Sequence, residues 1–316
     1  MARPPAAAID LGSTSVHLLV ARAAAGELVS IEDESAFLGL GAAVDGPGSL
    51  GVEGRAILTT TVAGYVGRAR ALGVATPIVM GTEPLRRLID ATRIVAEVSA
   101  ACATPLHVLE HEEEGLLTLI GLTAGRAVRH DLVVVDIGGG SSELVEIGPS
   151  RLARAAGVGV GAGRLTRTIV DHDPPTQAEM VGLVAAADAA FAWAPSRPPA
   201  EVVAVGGTAS NLLKLLRRSQ GREDLDTIDR ASLATVRAVV GRSPAELLAA
   251  QYLMRDARIR LLAAGAAIIE VVMDRTGVDT IRVVDTGIRE GAIIAADRAG
   301  SGWRERLEEL AHGWLT

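Results

Sequence analysis

Within eight residues, 136–143, the sequence DIGGGSSE places two carboxylates, two hydroxyls and three consecutive glycine amides. An apolar strand, VVV, runs into Asp136; after Gly138, Gly139, Gly140 and Ser141 a second strand starts, bearing Glu143. A loop that only reversed direction would need no more than one Asn-Gly pair. Glycines let the backbone approach a ligand closely, and successive N–H groups in a tight turn form an anion-binding concavity. Asp136 at the strand end is then a candidate ligand for a divalent cation that bridges to phosphate oxygens. The same arrangement opens the chain as AIDLGSTSVH: Asp10-x-Gly12 matches Asp136-x-Gly138, and a hydroxyl-rich turn with Ser13 and Thr14 follows. Seven residues after each aspartate stands a polar residue, His17 or Glu143. Ordinary hairpins with turn-satisfying aspartates explain either turn alone, whereas the matched pair favours function, with Asp10 a second candidate cation ligand. A repeat at this separation suggests two related domains facing each other across a cleft.

A third glycine turn, VGGTASNLL at 205–213, follows a strand and opens a helix, so Gly206, Gly207 and Thr208 could present N–H groups to a phosphate. A tight strand-to-helix connection capped by Thr208 or Ser210 is the equal alternative. The run LEHEEEGLL at 109–117 is read either as a solvated helix start that complements the helix dipole or as the source of a general base; spacing does not say which glutamate. Arg86, in GTEPLRRLIDA, is an anion ligand or a surface arginine. GVGVGAGR at 157–164 lacks the spacing of a dinucleotide fingerprint and is not expected to open a helix at the right place. His17 is read as packing or hydrogen-bonding beside the first turn, His130 and His172 as surface residues, and Arg289 and Glu290 as an internal ion pair.

These groups need strands and helices to position them. Short strands are expected at 77–80, 106–109, 202–206 and 280–284. Helices are expected at 243–251, capped by Ser243 with Pro244 in the first turn; after Thr176, with the capping-box partner Glu179; and over 256–276, closed by Gly277. GAAVDGPGSLG at 41–51 reads as a flexible loop, PSRPPAE at 195–201 as a surface connection. The alternation indicates α/β architecture with mixed sheets. Hydrophobic residues are 49% of the 316, but only two Phe, two Tyr and three Trp occur, so the core is aliphatic and no aromatic nucleic-acid platform is present. A net charge of −7 also argues against a general nucleic-acid binder. The single cysteine, Cys102, makes no internal disulfide. No secretory segment precedes Asp10 and no apolar run reaches membrane-spanning length, so a soluble cytoplasmic protein without membrane association is expected.

The ordered set AIDLGSTSVHLLVA, GTEPLRRLIDAT, HEEEGLLTLIGL, VVDIGGGSSELVEIG, GVGAGRLT, VGGTASNL and DTGIREG resembles the exopolyphosphatase and guanosine pentaphosphate phosphohydrolase family (Ppx/GppA) of the actin-like ATPase superfamily, over about residues 6–295. The resemblance implies two ribonuclease H-like domains with the active site in the cleft between them. Their expected bounds are 1–122 and 123–295, with a C-terminal amphipathic helix of about 296–316 returning to the first domain. It further implies Glu114 as the base that orients and deprotonates water, Arg86 as the grip on the transferred phosphoryl group, and Asp136 and Glu143 as ligands of Mg2+ (or Mn2+) or of the catalytic water. Gly138 to Ser141 would cradle phosphate from one domain, Asp10, Gly12, Ser13 and Thr14 from the other, with Gly206 to Thr208 adding contacts. Exopolyphosphatase activity is the leading expectation, with a homodimer as the family form. Guanosine pentaphosphate 5′-phosphohydrolase, a non-catalytic nucleotide- or alarmone-binding regulator and a kinase of the superfamily are the rivals. Departures from the family pattern are Glu110 and His111 where Ser-Gly is usual, Gly115 and Leu116 for Ala-Arg, Phe37 and Leu40 in a normally charged stretch, and Asp90 for Asn. They remove positive charge near a polyanion.

Overall fold

The structure, a computed structural model, describes residues 3–24, 27–149 and 151–313. In chain order the first part holds β1 (Ala6–Leu11), β2 (Ser15–Ala24), β3 (Glu27–Phe37), α1 (Leu40–Asp45), α2 (Gly51–Ala71), β4 (Ile78–Gly81), α3 (Glu83–Arg87), α4 (Ala91–Cys102), β5 (Leu106–Val108) and α5 (His111–Thr123). Then come β6 (Leu132–Ile137), β7 (Ser142–Gly148), β8 (Arg151–Val158), α6 (Ala162–Ile169), α7 (Gln177–Ala190), β9 (Glu201–Val205) and α8 (Gly206–Gln220). The chain closes with β10 (Thr227–Asp229), α9 (Arg230–Val240), α10 (Ala245–Gln251), α11 (Asp256–Ile259), α12 (Leu262–Thr276), β11 (Thr280–Val283), α13 (Ile288–Ala299) and, after two short 3₁₀ turns, α14 (Leu307–Ala311).

Two compact units result: residues up to Ala127 together with those from Thr286 onward, and Val128–Asp285. In the first, the sheet order is β3-β2-β1-β4-β5, antiparallel through β1–β3 and parallel from β1 to β4 and β5. In the second, β8-β7-β6-β9-β11 repeats that order and those directions, and β10 adds an antiparallel edge. This is the ribonuclease H-like arrangement expected, built twice. The central strands β1 and β6 read AAAIDL and LVVVDI because both of their faces are covered, as in parallel sheets flanked by helices. Each unit has its own aliphatic core: Ile9, Leu18, Leu58, Val62 and Ile94 in the first, Val133, Val135, Leu212, Leu216, Ile268 and Val272 in the second.

The expected strands stand within a residue of their predicted bounds, and Thr176 and Glu179 form the capping box of α7, with Thr176 N donating to Glu179 Oε2 at 2.7 Å and Glu179 N to Thr176 Oγ1 at 3.2 Å. Several local expectations change. Part of the 41–51 loop is helical, since α1 occupies Leu40–Asp45. The single helix expected at 256–276 is two, interrupted at Arg260 and Leu261, although Gly277 does close α12 in the left-handed conformation. Pro244, not Ser243, is the N-cap of α10. GVGVGAGR does run into a helix, α6. Helix α13 starts at Ile288 and belongs whole to the first unit, so residues 286–295 pack there and not with the second half. Beyond it the C-terminal stretch is mostly 3₁₀ turns and the short α14, because Gly300 and Gly302 interrupt a continuous helix; residues 314–316 of the expected helix lie outside the described residues.

Candidate active site

Within the first unit, β4 ends at Gly81 and the chain turns through Thr82, whose hydroxyl donates to Leu11 O at 3.1 Å, into the five-residue α3. That turn carries Arg86 to the start of α5. Its guanidinium donates to Leu109 O at 2.5 Å, pairs with the Glu114 carboxylate and reaches His111 Nδ1 at 3.1 Å. The two charged side chains keep only 12% and 8% of their exposure. Burial of such a pair is tolerable only with these additional hydrogen bonds.

The glutamate run now separates by role. Glu110 caps α5 in a capping box with Glu113, whose side chain accepts from the Glu110 N–H at 2.8 Å. Glu113 is also held by Arg304 at 2.7 Å; burial alone would raise its pKa, but the hydrogen bonds from Arg304 and the Glu110 amide outweigh that and hold it below its usual range. Glu112 is exposed. Glu114 is the buried one that faces Arg86.

The two Asp-Gly turns are built alike. Gly12 N donates to Ser15 O at 3.1 Å, and Gly138 N to Ser141 O at 3.0 Å. Asp10 lies opposite His17 in the β1–β2 register, Asp136 opposite Glu143 in β6–β7. In each unit the helix that follows the third strand caps the turn: Gly41 N donates to Ser13 O at 2.8 Å, Arg164 N to Gly139 O at 2.8 Å and Ala162 N to Gly138 O at 2.9 Å. A trans peptide holds its C=O and the next N–H on opposite sides. The N–H groups of Thr14, Gly139 and Gly140 therefore point away from those capping helices, the orientation an anion cradle requires. Ser13 Oγ donates to the buried Glu83 at 2.7 Å, and Arg87 holds the other Glu83 oxygen at 2.6 Å.

At the third turn Gly206 has φ +84°, and a Cβ there would stand 2.2 Å from Asp136 Oδ1. Only glycine lets the carboxylate lie against the first turn of α8. Asp136 and Glu143 are direct cross-strand neighbours on one face of the sheet, a spacing of about 5 Å between Cβ atoms. Two hard oxygen donors so placed fit Mg2+ or Mn2+. Asp10, the third expected cation ligand, is in the other unit.

A profile of the Ppx/GppA phosphatase family matches residues 19–297. The chain belongs to the Ppx/GppA phosphatase family. It is 27% identical over 302 residues to Exopolyphosphatase 1 of Mycobacterium tuberculosis, covering 90% of this chain and 86% of that one. The crystal structure of the Aquifex aeolicus Ppx/GppA family member superposes with a TM-score of 0.76 at 22% identity, over 93% of this chain and 97% of that one. An exopolyphosphatase from Cytophaga hutchinsonii gives 0.78 at 19% identity, over 91% and 96%. These two likenesses establish the fold.

In this Ppx/GppA chain three details escape sequence reading. His111, where the family pattern has glycine, lies against Arg86. The discarded GVGVGAGR segment is the cap of the glycine turn, with Gly161 packed on the backbone of Gly139 and Gly140. Arg258 brings a guanidinium nitrogen to 3.5 Å from the Cβ position of Gly207, where burial, reinforced by the neighbouring Arg255, pushes its pKa down. Nothing in RDARIR announces that role, because the approach is made across fifty residues of chain. Arg289 and Glu290 attract each other's charge as expected, but their hydrogen bonds go elsewhere: Arg289 donates to Asp33 at 2.6 Å, while Glu290 accepts from the Gly287 N–H at 2.9 Å and caps α13. His130 and His172 are surface residues, each on a glutamate.

Proposed function

We propose that this protein removes the terminal phosphate of inorganic polyphosphate. Water attacks the terminal phosphorus, the new P–O bond forms as the bridging P–O bond breaks, the shortened chain departs with the bridging oxygen, and orthophosphate is released. Glu114 accepts the proton of the attacking water, a role worth about 10²–10⁴ in rate. Arg86 moves from Glu114 onto the equatorial oxygens of the terminal phosphate, freeing the carboxylate at the moment substrate arrives. The turns at Gly12–Thr14, Gly138–Ser141 and Gly206–Thr208 hold phosphate oxygens through backbone N–H groups, with Arg258 adding charge at the last. Asp136 and Glu143 would hold a divalent cation, which when bound neutralises phosphate charge.

The observation that carries this reading is the buried Arg86–Glu114 pair: a guanidinium and a carboxylate in contact with each other, between α3 and the first turn of α5. Relatives named as exopolyphosphatases support the choice of substrate. The test is release of orthophosphate from polyphosphate, guanosine pentaphosphate and ATP, each with magnesium or with EDTA. Polyphosphate is expected to be consumed from its end, only with the metal. Release from guanosine pentaphosphate alone would replace this reading with that of a 5′-phosphohydrolase, and no release from any would replace it with that of a regulator.

A further inference from the structure

The chain carries 31 basic residues, of which Lys214 is the single lysine. It stands on α8, two turns beyond the glycines that open that helix, and is exposed. With Arg217 and Arg218 it lines a pocket of about 470 Å³ that also includes Ser210, Glu223 and Asp285. Arg217 Nε donates to Leu225 O at 2.7 Å, and Arg218 Nη1 donates to the Leu253 carbonyl at 2.9 Å and to that of Tyr252. Carbonyl oxygens fix both guanidiniums without cancelling their charge. Asp285 accepts from Ser210 at 3.1 Å, so the pocket carries three cations against two carboxylates in a chain whose net charge is −7.

We propose that this pocket is a subsite for the internal phosphates of a condensed phosphate chain whose end lies at Gly206–Thr208. Lys214 is eight residues along α8 from Gly206, about 12 Å at 1.5 Å per residue. Neither orthophosphate nor pyrophosphate spans that distance; a chain of many phosphates does. The basic residues recur at 214, 217 and 218, so they line one side of the helix in the direction an extended polyanion would run. The apolar lining residues, Leu213 and Val283, are buried, which leaves no flat wall for a nucleobase. The assignment rests on the proposed phosphate contacts at Gly206–Thr208 and, for its kinetic consequence, on the polyphosphate reading.

A single lysine makes the test direct. Reductive methylation of the intact protein with ¹³C-formaldehyde gives two resonances, from the N-terminal amine and from Lys214, and leaves both charges in place. Titration with long-chain polyphosphate in EDTA, so that no chain is consumed, is expected to shift the Lys214 resonance saturably. Orthophosphate, pyrophosphate and guanosine nucleotides at equal phosphate concentration should leave it unmoved. No shift with long chains, or the same shift with orthophosphate or a nucleotide, would overturn the assignment, whatever the protein hydrolyses. In turnover, Lys214→Glu should raise KM for long chains about fivefold, roughly the effect of reversing one exposed charge. KM for tripolyphosphate and kcat should not change. A rise common to both substrates would also overturn it, while leaving the catalytic reading in place.

Discussion

At the scale of single residues, the arrangement around Arg86 makes charge and shape separable. A lysine at that position keeps a positive charge but loses the planar fork that reaches Leu109 O, Glu114 and His111 together. Arg86→Lys is expected to fold and to lose about 10²–10³ in kcat, read by steady-state phosphate release alongside circular dichroism. Arg86→Ala leaves Glu114 buried without this guanidinium and should cost about 3–5 kcal/mol of stability as well, measured by urea unfolding. Glu114→Gln should leave the fold and substrate binding intact and lower kcat by about 10²–10⁴; activity near that of the parent would remove Glu114 from the mechanism. Asp90 supplies a contrast. Burial would raise its pKa, but hydrogen bonds from Ser49, Arg55 and the Leu50 N–H outweigh that and hold it below the usual aspartate range. A carboxyl with a depressed folded pKa contributes stability in full above its unfolded value, near 3.9, and loses it as pH falls through the folded one. Asp90→Asn should therefore destabilise by about 1–3 kcal/mol at pH 7. The gap to the parent should narrow below about pH 4; a gap unchanged at pH 3 would refute the assignment of a stabilising carboxylate.

Elements place these residues, and one contact between helices governs the placement of Glu114. A Cβ added to Gly291 on α13 would stand 1.9 Å from Leu117 O on α5, and one on Gly121 would stand 2.5 Å from Gly287 O. Two helix backbones thus touch, with glycine on both sides. Leu117 is one turn beyond Glu114, so parting the helices moves Glu114, the proposed base, as well as the core. Gly291→Ala is expected to cost about 1–3 kcal/mol by overpacking, seen as a lower Tm, and to lower kcat more than it raises KM. A lost Tm with unchanged kcat would show that α5 does not transmit the shift. This level was only partly legible in sequence. Apolar runs and the Thr176–Glu179 box gave strands and α7 because those signals are local. The break between α11 and α12, the helical α1 and the cap that α6 places on Gly138 and Gly139 depend on contacts between distant segments. Likewise, composition could not choose among Glu110, Glu112, Glu113 and Glu114; the resemblance pointed to Glu114, and the fold commits Glu110 and Glu113 to capping, leaves Glu112 in water and buries Glu114.

At the scale of the whole molecule, the matched Asp-x-Gly turns were a true sign of duplication, and the repeat extends well past them, to five strands in one order and a helix that caps each turn. What the short motifs could not reveal is that the duplication is unequal in chain continuity. The second unit is one segment, Val128–Asp285, with a core of its own. The first is assembled from both ends of the chain: α13 lies on α5 and β1, while Trp303, Leu307 and Leu310 are buried. Segment 128–285 expressed alone should consequently unfold in a single cooperative transition. A chain truncated after Asp285 should keep that transition and lose the other, because removing α13 exposes the apolar face of α5 and the face of β1 on which α13 packs. At about 25 cal/mol per Å² of apolar surface, uncovering a few such side chains removes an amount comparable to the net stability of a domain of this size. Calorimetry of the intact chain, the segment and the truncation checks this together. If the truncated chain retained both transitions, the returning helices would be decoration on the first unit and not part of its core.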